Sequence, residues 1–234
     1  MQIAIILYPG MTALDAVGPY EVFRFIPDAE IRFVSNTPQP IITDSGVLVM
    51  GSTHSYDETP NPDIVLVPGS SADTTTAMAD RKLTEWLKKA HETSKLTLSV
   101  CSGALVLGAA GILEGHPATT HWIAQKSLYS FGAEPRKDER VVKSGKIITG
   151  AGVSAGIDLA LSVVKELYGQ ERAEIIQLLI EYDPHPPVDS GHPAKASAAV
   201  YKIAKAEMLQ AAKNPRNIIS VPTILWRKVL KKLR

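Results

Sequence analysis

Short apolar runs rich in β-branched residues alternate along the chain with longer segments whose apolar residues recur at helical spacing. A continuous apolar run of this kind is typical of a strand buried on both faces of a parallel sheet. The predicted strands are residues 3–8, 30–35, 63–68, 96–100 and 146–149. The predicted helices are residues 14–25, 81–93, 102–111, 121–131, 155–168 and 171–181. Strands and helices in alternation predict an α/β fold, a doubly wound and mostly parallel sheet sandwiched by helices.

Turn-forming residues mark two departures from this alternation near the N-terminus. The segment 41–49 predicts a small antiparallel hairpin with its turn at Asp44-Ser45-Gly46. Thr12 is the predicted N-cap of the first helix, and Gly18-Pro19 is expected to interrupt or kink that helix near its middle.

A proline-rich segment predicts where the core ends. Three prolines between residues 182 and 187 cannot continue the preceding helix, because proline fixes φ and lacks an N–H donor. We therefore predict one domain over residues 1–234, with a core at 1–187 and a helical, basic extension at 188–234. The helices of the extension are predicted at 194–212 and 222–234.

The composition is that of an ordinary globular protein, with 45% hydrophobic residues, 21% charged residues and a formal charge of +1. It excludes disordered, collagen-like and coiled-coil chains. The longest apolar stretch, residues 104–113, is about half of the roughly 20 residues that a membrane helix needs. No basic region and cleavage site of a secretory signal is recognised, so we expect a cytoplasmic protein with no membrane partner.

The C-terminal tail carries an excess of positive charge. Residues 213–234 hold seven basic residues and no acid, which leaves a formal charge of −6 on residues 1–212. Such a tail is compatible with nucleic acid, an anionic surface or a partner subunit. We favour a helix that packs its apolar side on protein, because Leu225, Val229 and Leu233 recur on one helical face. We therefore expect no nucleic-acid partner.

The strongest chemical signal is the single cysteine. Cys101 ends a predicted buried strand immediately before a helix, with Gly103 two positions later, which is the arrangement of a nucleophile elbow. The start of a helix favours a thiolate and is expected to lower the thiol pKa. Many free cysteines are buried and inert, but the junction favours a functional role. A lone cysteine excludes an intramolecular disulfide and any multi-cysteine metal site.

Two further loops follow strand ends and are expected at the same edge of the sheet. Gly69 and Ser70 offer backbone amides that, with the amide of Ser102, are candidates for an oxyanion hole. Asp15 lies within one helical turn of the first strand–helix loop and is placed either to face the Cys101 crevice or to complement its own helix dipole.

Histidines supply a weaker signal. His121 follows Thr120, which is a candidate N-cap for the next helix, and we interpret His121 as a wall of the site rather than as a base. The other histidines show no i, i+4 pair or carboxylate cluster typical of a metal site, so no metal and no cofactor is expected.

The chain resembles the DJ-1/PfpI superfamily, which has the class I glutamine-amidotransferase-like fold, and within it the bacterial isonitrile hydratases. The resemblance covers about the first 190 residues and rests on several short segments. These segments are residues 14–19, 67–69, 99–113, 118–122, 148–158 and 181–187.

The resemblance implies a flavodoxin-like sandwich, a homodimer and a cysteine nucleophile, Cys101, assisted by the acid Asp15. It also implies that Gly150 lies at the site. Ser102 stands where the hydratases usually carry threonine, and Ser70 replaces the second glycine of a Pro-Gly-Gly turn. Related proteases carry histidine directly after the cysteine, so Ser102 argues against peptidase activity.

The leading hypothesis from the resemblance is hydration of an isonitrile to an N-substituted formamide. Two alternatives stay open: a stress protein that detoxifies glyoxals or senses oxidants through Cys101, and a regulatory ligand-binding domain. Regulators with this domain carry a helix-turn-helix segment after it, and the extension here is too short for one. Glyoxal chemistry in this fold usually pairs the cysteine with glutamate and histidine rather than with an early aspartate.

Overall fold

A seven-stranded sheet forms the centre of the computed structural model, which describes residues 1–213. The strand order is β10-β11-β7-β6-β1-β2-β5, and only β10 runs antiparallel to its neighbour within this sheet. The strands of the described chain are β1 (Gln2–Ile6), β2 (Glu30–Ser35), β3 (Pro40–Ile42), β4 (Val49–Gly51), β5 (His54–Ser55), β6 (Ile64–Val67), β7 (Leu96–Ser99), β8 (Pro117–Ala118), β9 (Glu134–Pro135), β10 (Val141–Ser144) and β11 (Ile147–Gly150). This mostly parallel sheet with flanking helices confirms the predicted flavodoxin-like α/β fold.

Two groups of helices pack around the sheet. The helices are α1 (Ala13–Phe23), α2 (Thr74–Ala79), α3 (Arg81–Thr93), α4 (Gly103–Ala109), a 3₁₀ helix (Trp122–Phe131), α5 (Ala155–Tyr168), α6 (Gln170–Leu179) and α7 (Ala198–Ala211). Helix α5 packs on α1 and α6, while α4 packs on α2, α3 and the 3₁₀ helix. Strands β1, β6 and β7 between them are almost completely buried, which explains their continuous apolar sequences.

The chain reverses direction across the sheet at β1. From β1 it proceeds to β2 and β5 at one edge, and it then returns to β6 on the other side of β1. The carboxyl ends of strands at such a reversal leave a crevice that is the usual ligand site of open α/β sheets. The loops after β1, β6 and β7 therefore meet in one place.

Tight packing of α1 against α5 explains the Gly18-Pro19 pair. A Cβ on Gly18 would lie 3.2 Å from Ile157, and one on Gly156 would lie 3.1 Å from the Pro19 ring. The helix runs without interruption from Ala13 to Phe23 with Pro19 inside it, so the predicted interruption is wrong, while the alternative of a kink stays a prediction. The two glycines allow the helices to approach.

Several local predictions need correction. The helix at 121–131 is a 3₁₀ helix whose N-cap is His121 rather than the predicted Thr120. Thr12 is the N-cap residue of α1 as predicted, but its side chain makes no capping hydrogen bond. The Thr12 hydroxyl donates instead to Asp44 Oδ2 at 2.5 Å, and that of Thr120 donates to the Cys101 carbonyl at 2.7 Å. Both hydroxyls thus bind residues that are distant in the sequence, and the local sequence does not reveal these contacts.

The C-terminal extension is described only in part. Helix α7 replaces the predicted 194–212, has no buried residue and contacts the 3₁₀ helix through Trp122 and Tyr201, whose rings are 5.3 Å apart. The predicted helix at 222–234 lies outside the described residues. The division into a core and an extension stays a prediction. Among residues 1–213, no helix is both long and apolar enough to cross a bilayer.

Candidate active site

Cys101 lies in the sharp turn between β7 and α4. Its φ of +58° is in the left-handed region, which a side chain with a Cβ rarely occupies. The Cys101 N–H donates to the carbonyl of Ala151 at 2.7 Å, and the Cys101 carbonyl accepts from the Thr120 hydroxyl at the same distance. Two other segments of the chain therefore hold the backbone in the conformation of a nucleophile elbow.

Gly103 permits this elbow to lie against the neighbouring strand. A Cβ at this position would lie 2.2 Å from the carbonyl oxygen of Val67, which is far inside van der Waals contact. Any larger residue would push α4 away from β6. The glycine singled out in the sequence is thus required by close backbone packing.

Asp15 reaches the elbow from the first turn of α1. Its side chain is completely buried, and its Oδ2 accepts a hydrogen bond of 2.8 Å from the Gly69 N–H, while no hydrogen-bond partner is found for Oδ1. Burial raises the pKa of Asp15 from 3.8 to about 7. The Gly69 N–H and the Cys101 thiol oppose this rise in pKa, and the Asp44 carboxylate adds to it.

Gly69 brings the acid and the elbow together. A Cβ on Gly69 would lie 2.5 Å from the Ser102 nitrogen and 3.0 Å from Asp15 Oδ2. Only a glycine lets the loop after β6 fit between these two groups. Of the two alternatives for Asp15, a place at the Cys101 crevice fits this arrangement.

The pKa of the Cys101 thiol is raised well above its usual value, mainly by burial and then by the charge of Asp15. Hydrogen bonds from Ser102 act in the opposite direction. The predicted lowering of the thiol pKa is therefore wrong. Helix α4 has only seven residues, and its dipole does not overcome the loss of solvent around the sulfur.

The pKa values of both Asp15 and Cys101 are raised, so both groups hold their protons to a higher pH than usual. Near neutral pH the Asp15–Cys101 pair passes between holding two protons and holding one. In the pair with one proton, Asp15 is ionised and Cys101 keeps its proton, so the carboxylate is a base beside the thiol nucleophile. This is the chemical state that an addition across a polarised bond requires.

The amides proposed for an oxyanion hole already have partners. The Ser70 N–H donates to Ser102 Oγ at 2.9 Å, while the Gly69 N–H is bound by Asp15. Ser102 Oγ also donates to the Ser70 carbonyl and lies 2.6 Å from Thr74 Oγ1. In this structure Ser70 and Ser102 join the two loops, and the backbone of Ser102 is directed at the sulfur.

His121 lies at the start of the 3₁₀ helix, next to the loop that follows β11. Its Nδ1 is buried without a hydrogen-bond partner, and burial lowers the pKa of the imidazole. A Cβ on Gly152 would lie 3.0 Å from the His121 ring, and the ring itself packs at 5.4 Å on Trp122. No hydrogen bond joins the His121 ring to Cys101 among the described residues, so its position fits a wall better than a base.

Gly150 is the last residue of β11 and is buried. A Cβ there would contact Leu159 at 3.2 Å and the Ser99 carbonyl at 3.5 Å. It precedes Ala151, the acceptor of the Cys101 N–H. Gly150 therefore supports the elbow from the adjacent strand.

Several residues around the site escaped the sequence analysis. Thr120 and Ala151 hold the Cys101 backbone, Tyr8 donates to the Pro68 carbonyl at 3.0 Å, and Asp44 binds Thr12 and Ser71. Among them, only Thr12 and Thr120, as helix caps, and Asp44, as part of a turn, were singled out in the sequence. Within residues 1–213, no group of three or more His, Cys, Asp or Glu side chains is arranged to hold a metal ion.

A cysteine at a strand-to-helix elbow, beside a buried carboxyl at the switch point of a doubly wound sheet, defines a class of α/β proteins with a candidate cysteine nucleophile. The chain belongs to the DJ-1/PfpI family, whose model matches residues 1–166.

Comparisons with individual proteins agree with this assignment. The chain is 40% identical over 200 residues to isonitrile hydratase from Pseudomonas putida, covering 86% of each chain. It is 28% identical over 171 residues to the Parkinson disease protein 7 homolog from Danio rerio, covering 72% of this chain and 90% of that one. The crystal structure of a ThiJ/PfpI family protein from Pseudomonas syringae is similar at a TM-score of 0.87, with 37% identity over 94% of this chain and 90% of that one.

Proposed function

We propose that the protein is a cysteine-dependent hydratase that converts an isonitrile and water into an N-substituted formamide. The observation that carries this proposal is the pairing of Asp15 with Cys101 across Gly69, a buried acid beside a buried thiol. The 40% identity with an isonitrile hydratase over 86% of both chains supports the choice of substrate class.

The first step is addition of the thiol across the terminal carbon of the isonitrile. In the pair with one proton, the Cys101 thiol keeps the proton, and the Asp15 carboxylate accepts it as the sulfur attacks. The sulfur forms a bond to the carbon, and Asp15 delivers its proton to the same carbon, which gives a thioimidate on Cys101. The isonitrile is uncharged and needs little solvation, which suits a buried site.

The second step is hydrolysis of the thioimidate. The Asp15 carboxylate left by the first step accepts a proton from water as its oxygen adds to the same carbon, and it passes this proton to the nitrogen as the C=N bond opens. The carbon–sulfur bond then breaks, and the released sulfur regains a proton while the formamide departs. Water and isonitrile are the only reactants, so atoms and electrons balance without a cofactor.

The stress-protein alternative has a narrower basis. The similarity to the Danio rerio homologue supports it at the level of the family. Oxidant sensing favours an exposed thiol of low pKa, whereas Cys101 is 4% exposed and its pKa is raised. Glyoxal chemistry would require a second base near the sulfur, and the His121 Nδ1 has no hydrogen-bond partner in the described part of the chain, Cys101 included.

A substrate comparison tests the proposal. Purified protein is incubated with cyclohexyl isocyanide or with methylglyoxal, and the formamide and lactate are measured. We expect formamide from the wild type, no turnover by Cys101→Ala, and a loss of about a hundredfold to ten-thousandfold for Asp15→Asn. Ser130→Ala, a surface change on the 3₁₀ helix, is the control. Lactate without formamide, or formamide at the wild-type rate from Cys101→Ala, would contradict the proposal.

The partner and location remain proposals. We propose a homodimer that uses the surface near the elbow, Trp122 and the proline segment 184–187, and a cytoplasmic location. Sedimentation at micromolar concentration tests the dimer. A species of 25.3 kDa alone would contradict it.

A further inference from the structure

The turn of the β3–β4 hairpin packs beside the candidate active site. Strands β3 and β4 pair outside the main sheet, and their turn places Asp44 between the loop after β1 and the loop after β6. The turn is fixed by its own hydrogen bonds, including Gly46 N–H to the Thr43 carbonyl at 3.0 Å. Asp44 is thus presented from a structured turn.

One oxygen of Asp44 binds both loops. Oδ2 accepts from the Thr12 hydroxyl at 2.5 Å, from the Ser71 hydroxyl at 2.8 Å and from the Ser71 N–H at 3.3 Å. Thr12 is three residues before Asp15, and Ser71 is two residues after Gly69. The carboxylate therefore joins the two short segments that carry the acid and its hydrogen-bond donor.

Backbone hydrogen bonds make the same connection continuous. The Gly10 N–H donates to the Ile42 carbonyl at 2.8 Å, and the Asp44 N–H donates to the Met11 carbonyl at 3.0 Å. The Thr12 N–H then donates to the Gly69 carbonyl at 2.9 Å. Hairpin, first loop and second loop form one hydrogen-bonded unit that ends at the Gly69–Asp15 bond.

We infer that Asp44 is a positioning residue of the site: its carboxylate fastens the loops after β1 and β6 to each other and so holds Asp15 over the Cys101 thiol. This inference deepens the proposed function and rests on it for the role of Asp15. Asp44 itself does not contact the sulfur in any hydrogen bond of the structure. It acts through Thr12, Ser71 and Gly69.

The charge of Asp44 adds a second effect to its hydrogen bonds. The groups whose charges act on Asp15 or on its neighbour Tyr8 are Cys101, Asp44 and Asp73. Among them Asp44 favours protonation of Asp15, because a negative charge opposes a second one nearby. Loss of the charge and loss of the hydrogen bonds can be separated by two substitutions.

Asp44→Asn removes the charge and keeps an oxygen acceptor, while Asp44→Ala removes both. We expect Asp44→Asn to retain kcat/KM within about threefold at high pH and Asp44→Ala to lose at least about tenfold, mostly in kcat, because the loops no longer hold the acid in place. The matched control is Ser45→Ala in the same turn, whose hydroxyl binds only within the hairpin.

Alkylation of Cys101 by iodoacetamide gives a readout that needs no isonitrile. We expect its rate to show an inflection where Asp15 ionises, and this inflection should move to lower pH in both Asp44 variants but not in Ser45→Ala. Failure of the wild type to hydrate isonitriles would contradict the proposed function. The alkylation profile would still test whether Asp44 positions Asp15.

Unshifted inflections in both Asp44 variants, with Asp44→Ala alkylated at the wild-type rate, would overturn the inference. Circular dichroism shows whether Asp44→Ala is folded. If it is not, Ser71→Ala removes a donor from the same contact. A wild-type alkylation profile in both Ser71→Ala and Asp44→Asn would overturn the inference equally.

Discussion

The main-chain N–H of Gly69 donates a hydrogen bond of 2.8 Å to Oδ2 of Asp15, a residue 54 positions earlier in the chain. This bond leaves the other carboxyl oxygen of Asp15 buried and without a hydrogen-bond partner. An unpartnered buried oxygen is costly for a carboxylate and less so for a protonated carboxyl. The arrangement therefore favours the protonated form of Asp15 beside the thiol.

The pH dependence of turnover should follow the ionisation of Asp15. Below a pH of about 7 the pair holds two protons, and removal of one creates the reactive state. We expect kcat/KM to rise with pH, about tenfold per unit at the acid end, and to level off above about pH 7. A stopped assay in overlapping buffers measures this profile, and a flat profile across that range would remove Asp15 from proton transfer.

Replacement of Asp15 should stabilise the fold at high pH. The folded-state pKa is raised from 3.8 to about 7, so the stability contributed by proton binding is fully present below pH 3.8 and is lost as the pH rises through about 7. Asp15→Asn removes this loss. Its free energy of unfolding should exceed that of the wild type by up to about 4 kcal/mol above pH 7, and the difference should shrink toward pH 4.

Urea unfolding at several pH values measures that difference. Asp138→Asn makes the same replacement at an exposed surface position and is the control for the change of side chain itself. A variant that is less stable than the wild type at pH 8 would show that the hydrogen bond to Gly69 outweighs the burial of charge.

Gly103→Ala should damage the elbow. The added methyl group would lie 2.2 Å from the Val67 carbonyl oxygen, so α4 must move away from β6. Overpacking of this kind costs about 1–3 kcal/mol, and we expect a lower melting temperature together with a loss of activity. Gly145→Ala is the control, because a Cβ on Gly145 meets no atom within 4 Å and only the positive φ of this residue causes strain. Equal stability of Gly103→Ala and wild type would contradict the packing argument.

The C-terminal tail should have a structural role. Truncation after Ala212 is expected to lower thermal stability or shift the subunit equilibrium and to leave turnover by Cys101 nearly unchanged. The contrary expectation is affinity for DNA or RNA that falls steeply with salt and vanishes on truncation. A mobility-shift titration at low and moderate salt distinguishes the two, and tight, salt-sensitive binding would contradict the structural role.

Periodic segments of the chain were predictable where burial alone decides their structure. The bounds of β2, α3 and α5 agree with the sequence prediction. The short α2 and the antiparallel edge strand β10 were missed, because a six-residue helix and a half-exposed strand have too few buried positions to give a periodic signal. The 3₁₀ geometry of residues 122–131 is likewise invisible in hydrophobic spacing.

The site was predictable only in its local part. Cys101 and Gly103 stand out because strand, turn and helix are consecutive in the sequence. The partners of that turn lie elsewhere in the chain, so Thr120 was assigned a local cap, and Asp44 a turn without a role. The direction of the Cys101 pKa shift was also wrong, because solvent exclusion depends on the packing of the whole site.

The left-handed backbone at Cys101 has a consequence for how this thiol behaves before the protein is complete. A conformation that costs about 1–2 kcal/mol is held by Thr120 and Ala151, both later in the chain than Cys101 itself. A chain that has not reached Ala151, or that has opened there, therefore lacks at least one of the two hydrogen bonds that orient the Cys101 thiol. The thiol is therefore oriented for reaction only after β11 and Ala151 have folded against β7, and it loses this orientation if β11 separates from the sheet.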